Sequence, residues 1–235
     1  MTLFERLQQE WQSGLRPSVF PERLPVDEYG LAAVGGALLP ELVVEAYSKG
    51  YFPWTGRHPV PWYSPDPRLI LRPHEFYASS SLKKLSRKGR YRVVYDSDFR
   101  GVMEACGEME RPGQSGTWIT DNMLEAYTEL HRHGITHSVE VYRGETLVGG
   151  LYGLTLGRAF FGESMFSREP NTSKLALYIL CQQLEQWGFA FVDCQQETPH
   201  LQSLGAYPIT REQYLDELVE ALEAPSQHYV WSHLS

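Results

Sequence analysis

The chain has 235 residues, enough to bury a sizeable core as one large domain or two unequal ones. Hydrophobic residues at 42% and charged residues at 21% are ordinary globular usage and exclude wholesale disorder. The net charge of −8 argues, taken whole, against a simple polyanion binder, and no apolar run is long enough to span a membrane.

Residues 1–11 read as a short polar-amphipathic helix without the apolar stretch of a signal peptide. Pro17, Pro21 and Pro25 then make an extended arm. Residues 31–50 carry a helix: Pro40 suits its first position, Gly50 its C-terminal cap, and Leu42, Val43, Ala46 and Tyr47 line one apolar face. Tyr51 to Trp54 read as loop. Pro61, Pro65 and Pro67 bar a helix and a central strand over the stretch that follows. A boundary near residue 65 separates a small N-terminal domain, 1–65, from a main domain, 66–235.

The main domain alternates. Residues 69–71 and 92–95 read as strands, and 80–88, 99–109 and 120–133 as helices, the last capped by Thr120 or Asp121 and ended by Gly134. Residues 137–142, 147–156 and 159–164 form a strand meander, turned at Arg143-Gly144-Glu145 and Gly157-Arg158. A helix over 174–187, a strand over 190–194 and an acidic helix over 211–223 complete an α+β pattern with a mostly antiparallel sheet.

The charge is unevenly spread. Residues 68–92 hold eight Lys/Arg against one acid, Glu75, a local balance of +7 that leaves −15 on the other 210 residues. Lys83, Lys84, Arg87 and Lys88 share one side of a helix, a pattern that suits phosphates better than a merely solvated face. Three widely spaced cysteines without a CxxC indicate neither a zinc ribbon nor a disulfide framework, and a reducing cytoplasm is the expected location.

Candidate chemistry clusters at strand ends. The strand Phe191-Val192 runs into Asp193-Cys194-Gln195. Either Asp193 starts a turn over a buried Cys194, or Cys194 is a nucleophile with His200 as base; spacing alone does not decide. Glu163, at the end of another apolar strand, reads as an exposed acid. Trp54 and Trp118 lie beside Pro, Gly and Thr rather than in periodic elements, which suits them to stacking on bases.

The stretches GLAAVGGALLPELVVEAYSKGYFPW, PWYSPDPR, GTWIT, EAYTELHRHGITHSVEVY, LVGGLYG, GESMFSRE, SKLAL, VDCQ and SLGA follow one another in order. In this they resemble the leucyl/phenylalanyl-tRNA–protein transferase family, from about residue 30 to about 215. The resemblance implies transfer of Leu or Phe, and less well Met, from aminoacyl-tRNA to the α-amine of proteins beginning with Arg or Lys, marking them for degradation. It implies a GNAT-like main domain, with no metal and no nucleotide cofactor. It places the family's catalytic pair on Asp193 and Gln195 and the surroundings of the tRNA 3′-adenosine on Tyr47, Trp54, Trp118 and Tyr127. Its motif glutamate falls on Glu163, and the pocket for the transferred side chain on Leu151, Phe160 and Leu180. Leu151 and Leu180 stand where the family often has Met and Phe, which keeps the pocket apolar. The tRNA phosphates would meet Lys83, Lys84, Arg87 and Lys88.

An activated ester and an α-amine of pKa about 7.7–8.0 need orientation more than a strong base. Gln195 would accept a hydrogen bond or proton from the amine, with Asp193 orienting and polarising it. Asp193 or Glu163 would also attract a cationic acceptor. Three other readings compete. An acetyl-CoA enzyme lacks support, because Ser167 to Thr172 is not a Gly-rich pyrophosphate loop. A transferase to a non-protein acceptor and a non-catalytic tRNA-binding module are the other two.

Overall fold

A computed structural model describes residues 1–109, 117–223 and Trp231. Gly116 of the GTWIT stretch therefore lies outside the described residues.

The chain opens with α1 (Leu3–Gln12), whose Thr2 and Glu5 form a reciprocal capping box. The arm leads to β1 (Leu31–Val34), α2 (Pro40–Ser48), β2 (Phe52–Pro53) and β3 (Pro61–Tyr63). Residues 31–50 thus split into a strand and a helix. Pro40 takes the first helical turn, and Gly50, at φ +80°, leads out of the helix. The prolines do not bar a central strand: β3 lies between β1 and β2 in a three-stranded antiparallel sheet. Pro61 is tolerated because it is the first residue of β3, and Pro53 because it sits on an edge strand.

Among the described residues the main sheet has seven strands in the order β10-β4-β9-β8-β7-β6-β5. They are β4 (Arg68–Leu71), β5 (Arg92–Tyr95), β6 (Thr136–Arg143), β7 (Thr146–Leu156), β8 (Ala159–Ser167), β9 (Phe191–Gln195) and β10 (Tyr207–Ile209). The meander β6-β7-β8 forms as expected and β8 runs three residues further than expected; β1, β2, β3 and β10 are additions, β2 falling in the stretch 51–54 that reads as loop. Among the described residues only β8 and β9 pair in parallel, and a parallel neighbour needs a crossover, which α6 (Thr172–Gln186) supplies.

Helices cover both faces, and a short α7 (Pro199–Gln202) follows β9. Alternation along the strands sends Tyr152, Phe161 and Phe191 to one side, with α2, α4 (Phe99–Glu108), α5 (Asp121–Arg132) and α8 (Arg211–Glu223). Leu151, Phe160 and Val192, each next door in sequence, face the other side with α6 and Leu82 of α3 (Ser80–Arg87). Thr120 caps α5 by accepting from the Met123 N–H, as its sequence position suggests. No helix among the described residues is long and apolar enough to cross a membrane.

Candidate functional site

The pairing of β8 with β9 runs only from Ala159↔Phe191 to Phe161↔Asp193, after which both strands continue unpaired to each other. Each then carries a bulge. On β8, Glu163 is skipped between the pairs Gly153↔Gly162 and Tyr152↔Ser164. On β9, Cys194 is skipped between Ile70↔Asp193 and Leu69↔Gln195. Bulges re-aim side chains, and here two of them open a gap in the middle of the sheet.

Across that gap the Gln195 Nε2 donates to Glu163 Oε1 at 2.8 Å. Tyr47 O–H donates to the same oxygen at 2.6 Å, and Tyr127 O–H to Oε2 at 3.2 Å. The two phenol oxygens are themselves 2.8 Å apart. Glu163 is therefore not the exposed acid its position suggests. Burial pushes its carboxyl up to about 7, against the three hydrogen bonds that favour the carboxylate.

Asp193 is fully buried. Its Oδ1 accepts from Arg68 Nε at 2.8 Å and from the backbone N–H of Gln195 at 2.9 Å. Its Oδ2 accepts from Arg68 Nη2 at 2.6 Å and from Tyr214 O–H at 2.9 Å. Two expectations change. The side chain of Gln195 is oriented by Glu163, while Asp193 holds its backbone at φ +65°, a left-handed conformation that a non-glycine residue adopts at a cost. Asp193, enclosed and neutralised by Arg68, does not attract a cationic acceptor from solvent.

Two cavities meet at Glu163, Ser164, Met165, Cys194, Gln195 and Leu201. The inner chamber, about 110 Å³, adds Leu151, Phe160, Leu177 and Val192 and is almost wholly apolar. The outer cleft, about 690 Å³, adds Phe52, Pro53, Trp54, Trp118 and His200. Burial raises the Cys194 thiol well above its ordinary value, which removes the thiolate that a Cys194–His200 nucleophile would need. Burial and nearby Lys174 lower the His200 imidazole.

The structure thus brings Trp54, Trp118, Leu151, Phe160, Glu163 and Gln195 to one connected space. Tyr47 and Tyr127 are fully buried and line neither cavity, so they cannot stack on a base and act instead on Glu163. Leu180 lies in the core beneath the sheet; Leu177, one turn earlier on the same face of α6, lines the chamber in its place. Lys83, Lys84, Arg87 and Lys88 are exposed, but the basic stretch is smaller than its count. Arg68, Arg72 and Arg90 are engaged with Asp193, Glu217 and Glu169. The residues missed from sequence include Leu177, Val192, Met165, Leu201, Arg68 and Tyr214. Of these only Arg68, a charge opening the apolar strand Leu69-Ile70-Leu71, carried a visible signal.

Residues 70–219 match the family model described as Leucyl/phenylalanyl-tRNA protein transferase, and residues 36–66 match that of its N-terminal domain. A leucyl/phenylalanyl-tRNA–protein transferase from Myxococcus xanthus (strain DK1622) is 45% identical over 92% of this chain and 93% of its own. One from Pseudomonas entomophila (strain L48) is 53% identical over 85% of this chain and 88% of its own. Among solved structures, a GCN5-related N-acetyltransferase from Kribbella flavida aligns with 62% of this chain and 55% of its own. Its TM-score is 0.39 at 11% identity, a likeness too partial to carry an argument.

Proposed function

The chain belongs to the leucyl/phenylalanyl-tRNA–protein transferase family and is an aminoacyltransferase, and from that premise we propose that it moves Leu or Phe, less well Met, from aminoacyl-tRNA to the α-amine of proteins beginning with Arg or Lys. The products would be marked for degradation in the cytoplasm, and the work would divide between an N-terminal unit, 1–65, and a catalytic unit, 66–235. The observation that carries the reading is the Gln195–Glu163 hydrogen bond, at the place where the apolar chamber opens into the wide cleft.

The donor's side chain fits the chamber of Leu151, Phe160, Leu177 and Val192, and its 3′-adenosine fits between Trp54 and Trp118 in the cleft. With Nε2 engaged by Glu163, the amide oxygen of Gln195 is left to accept from the attacking amine. The amine nitrogen bonds to the ester carbon, the ester C–O bond to the ribose breaks, and the amine's proton ends on the ribose oxygen. Roughly a tenth or more of an α-amine is already neutral at pH 7, so alignment supplies most of what the reaction lacks. An apolar chamber separates side chains that differ by one methylene by only about 1–3 kcal/mol, which is why Met should leak through.

The test is transfer of labelled Leu, Phe, Met and Arg from charged tRNA to peptides starting with Arg, Lys, Asp or Glu, with a muropeptide as non-protein acceptor. Leu and Phe should reach Arg- and Lys-led peptides only. Transfer confined to Asp- and Glu-led peptides, or to the muropeptide, would contradict the reading.

A further inference from the structure

Gln195 holds a left-handed backbone at φ +65°, one residue past a bulge. Such a conformation persists only where its surroundings over-determine it. Its N–H donates to Asp193 Oδ1 at 2.9 Å, and Asp193 is itself gripped from two remote parts of the chain. Arg68, on β4, meets it with two parallel hydrogen bonds at 2.8 and 2.6 Å. Tyr214, on α8, donates to Oδ2 at 2.9 Å. All three are fully buried.

The guanidinium is fixed in turn. Its Nη1 donates to the Gly50 carbonyl at 3.2 Å, and its Cζ lies over the rings of Phe52 and Tyr214, 4.8 and 4.4 Å from their centroids. Burial opposes the charge of Arg68, and Asp193 beside it more than offsets that. Gly50 makes the approach of α8 possible: a Cβ there would lie 2.4 Å from Leu215 and 3.1 Å from Tyr214.

We infer that Arg68 and Tyr214 are positioning residues that hold Asp193, and through it the backbone of Gln195, in the geometry transfer requires. The inference rests on the functional reading above for its kinetic consequence only. It also gives α8 a task, since the Tyr214 hydroxyl is the closing contact of the clamp.

Tyr214→Phe tests this with the ring, and so the packing, retained. Losing a buried hydrogen bond to a charged group should lower kcat for transfer about tenfold and leave KM for aminoacyl-tRNA unchanged. Arg68→Lys should also lower kcat, because an ammonium cannot make the two parallel bonds. In a Gln195→Ala background, Tyr214→Phe should add no further loss, and exchange of the Gln195 amide should quicken about tenfold in the single variant. Wild-type kcat in Tyr214→Phe, a loss that multiplies onto Gln195→Ala, or unchanged Gln195 exchange would each overturn the inference. A wild-type protein that transfers nothing would contradict the functional reading instead, and the exchange comparison would still decide the clamp.

Discussion

A carboxyl half-way through its titration near neutral pH responds to small changes around it, and Glu163 is held in that range by burial against three donors. This has a consequence for stability that does not depend on function. Its folded value, about 7, lies above the ordinary 4.5, so between those limits the folded protein binds more protons than the unfolded chain. Stability from this group is complete below about 4.5 and is lost as pH rises through 7, by at most about 3 kcal/mol. Glu163→Gln should remove that slope, read as the difference between urea midpoints at pH 5 and pH 8 in variant and wild type. An identical slope would mean that the carboxyl titrates normally. Nothing around Glu163 in the sequence announces this. Its partners Tyr47, Gln195 and Tyr127 lie 116, 32 and 36 residues away, and only the fold assembles them. The reactive look of Asp193-Cys194-Gln195 was visible in sequence, but not that Asp193 is walled in by Arg68 and Tyr214.

At the scale of elements, local signals read well. Proline at the start of α2, threonine before α5, glycine after it and the two turns of the meander all stand where their chemistry suggests. The misses are short and depend on partners. Strand β1 has four residues, β10 has three with a proline, and both gain their identity from pairing rather than propensity. The bulges at Glu163 and Cys194 leave no trace in the pattern, although they make the site. Helix α3 is the case where the element itself carries a prediction. Leu82 anchors it in the core, Ser79 caps it, and Lys83, Lys84, Arg87 and Lys88 remain exposed. If they meet tRNA phosphates, Lys83→Gln with Arg87→Gln should weaken aminoacyl-tRNA binding. The slope of log affinity against log salt should fall by about 1.5. An unchanged slope would take α3 out of the tRNA path.

Across the whole molecule, the net charge of −8 conceals a partition that the fold then refines. Three of the eight basic residues in 68–92 are engaged in ion pairs, and one of those, Arg68, belongs to the site rather than to the surface. Of the other five, Arg92 is exposed on β5, and Lys83, Lys84, Arg87 and Lys88 are exposed along α3 and its C-terminal cap; α3 packs on α6, the helix that lends Leu177 to the apolar chamber. The N-terminal sheet reaches the same place from the other side, bringing Phe52, Pro53 and Trp54 to the cleft. The proposed function places donor and acceptor where β8 and β9 part, with Gln195 between them. Single-turnover transfer of Leu from tRNA to an Arg-led peptide, in wild type and Gln195→Ala, tests this most directly. Wild type should form the new peptide bond, and Gln195→Ala should do so roughly 10²-fold more slowly with aminoacyl-tRNA binding unchanged. A wild type that forms no bond, or a variant that matches it, would contradict the account.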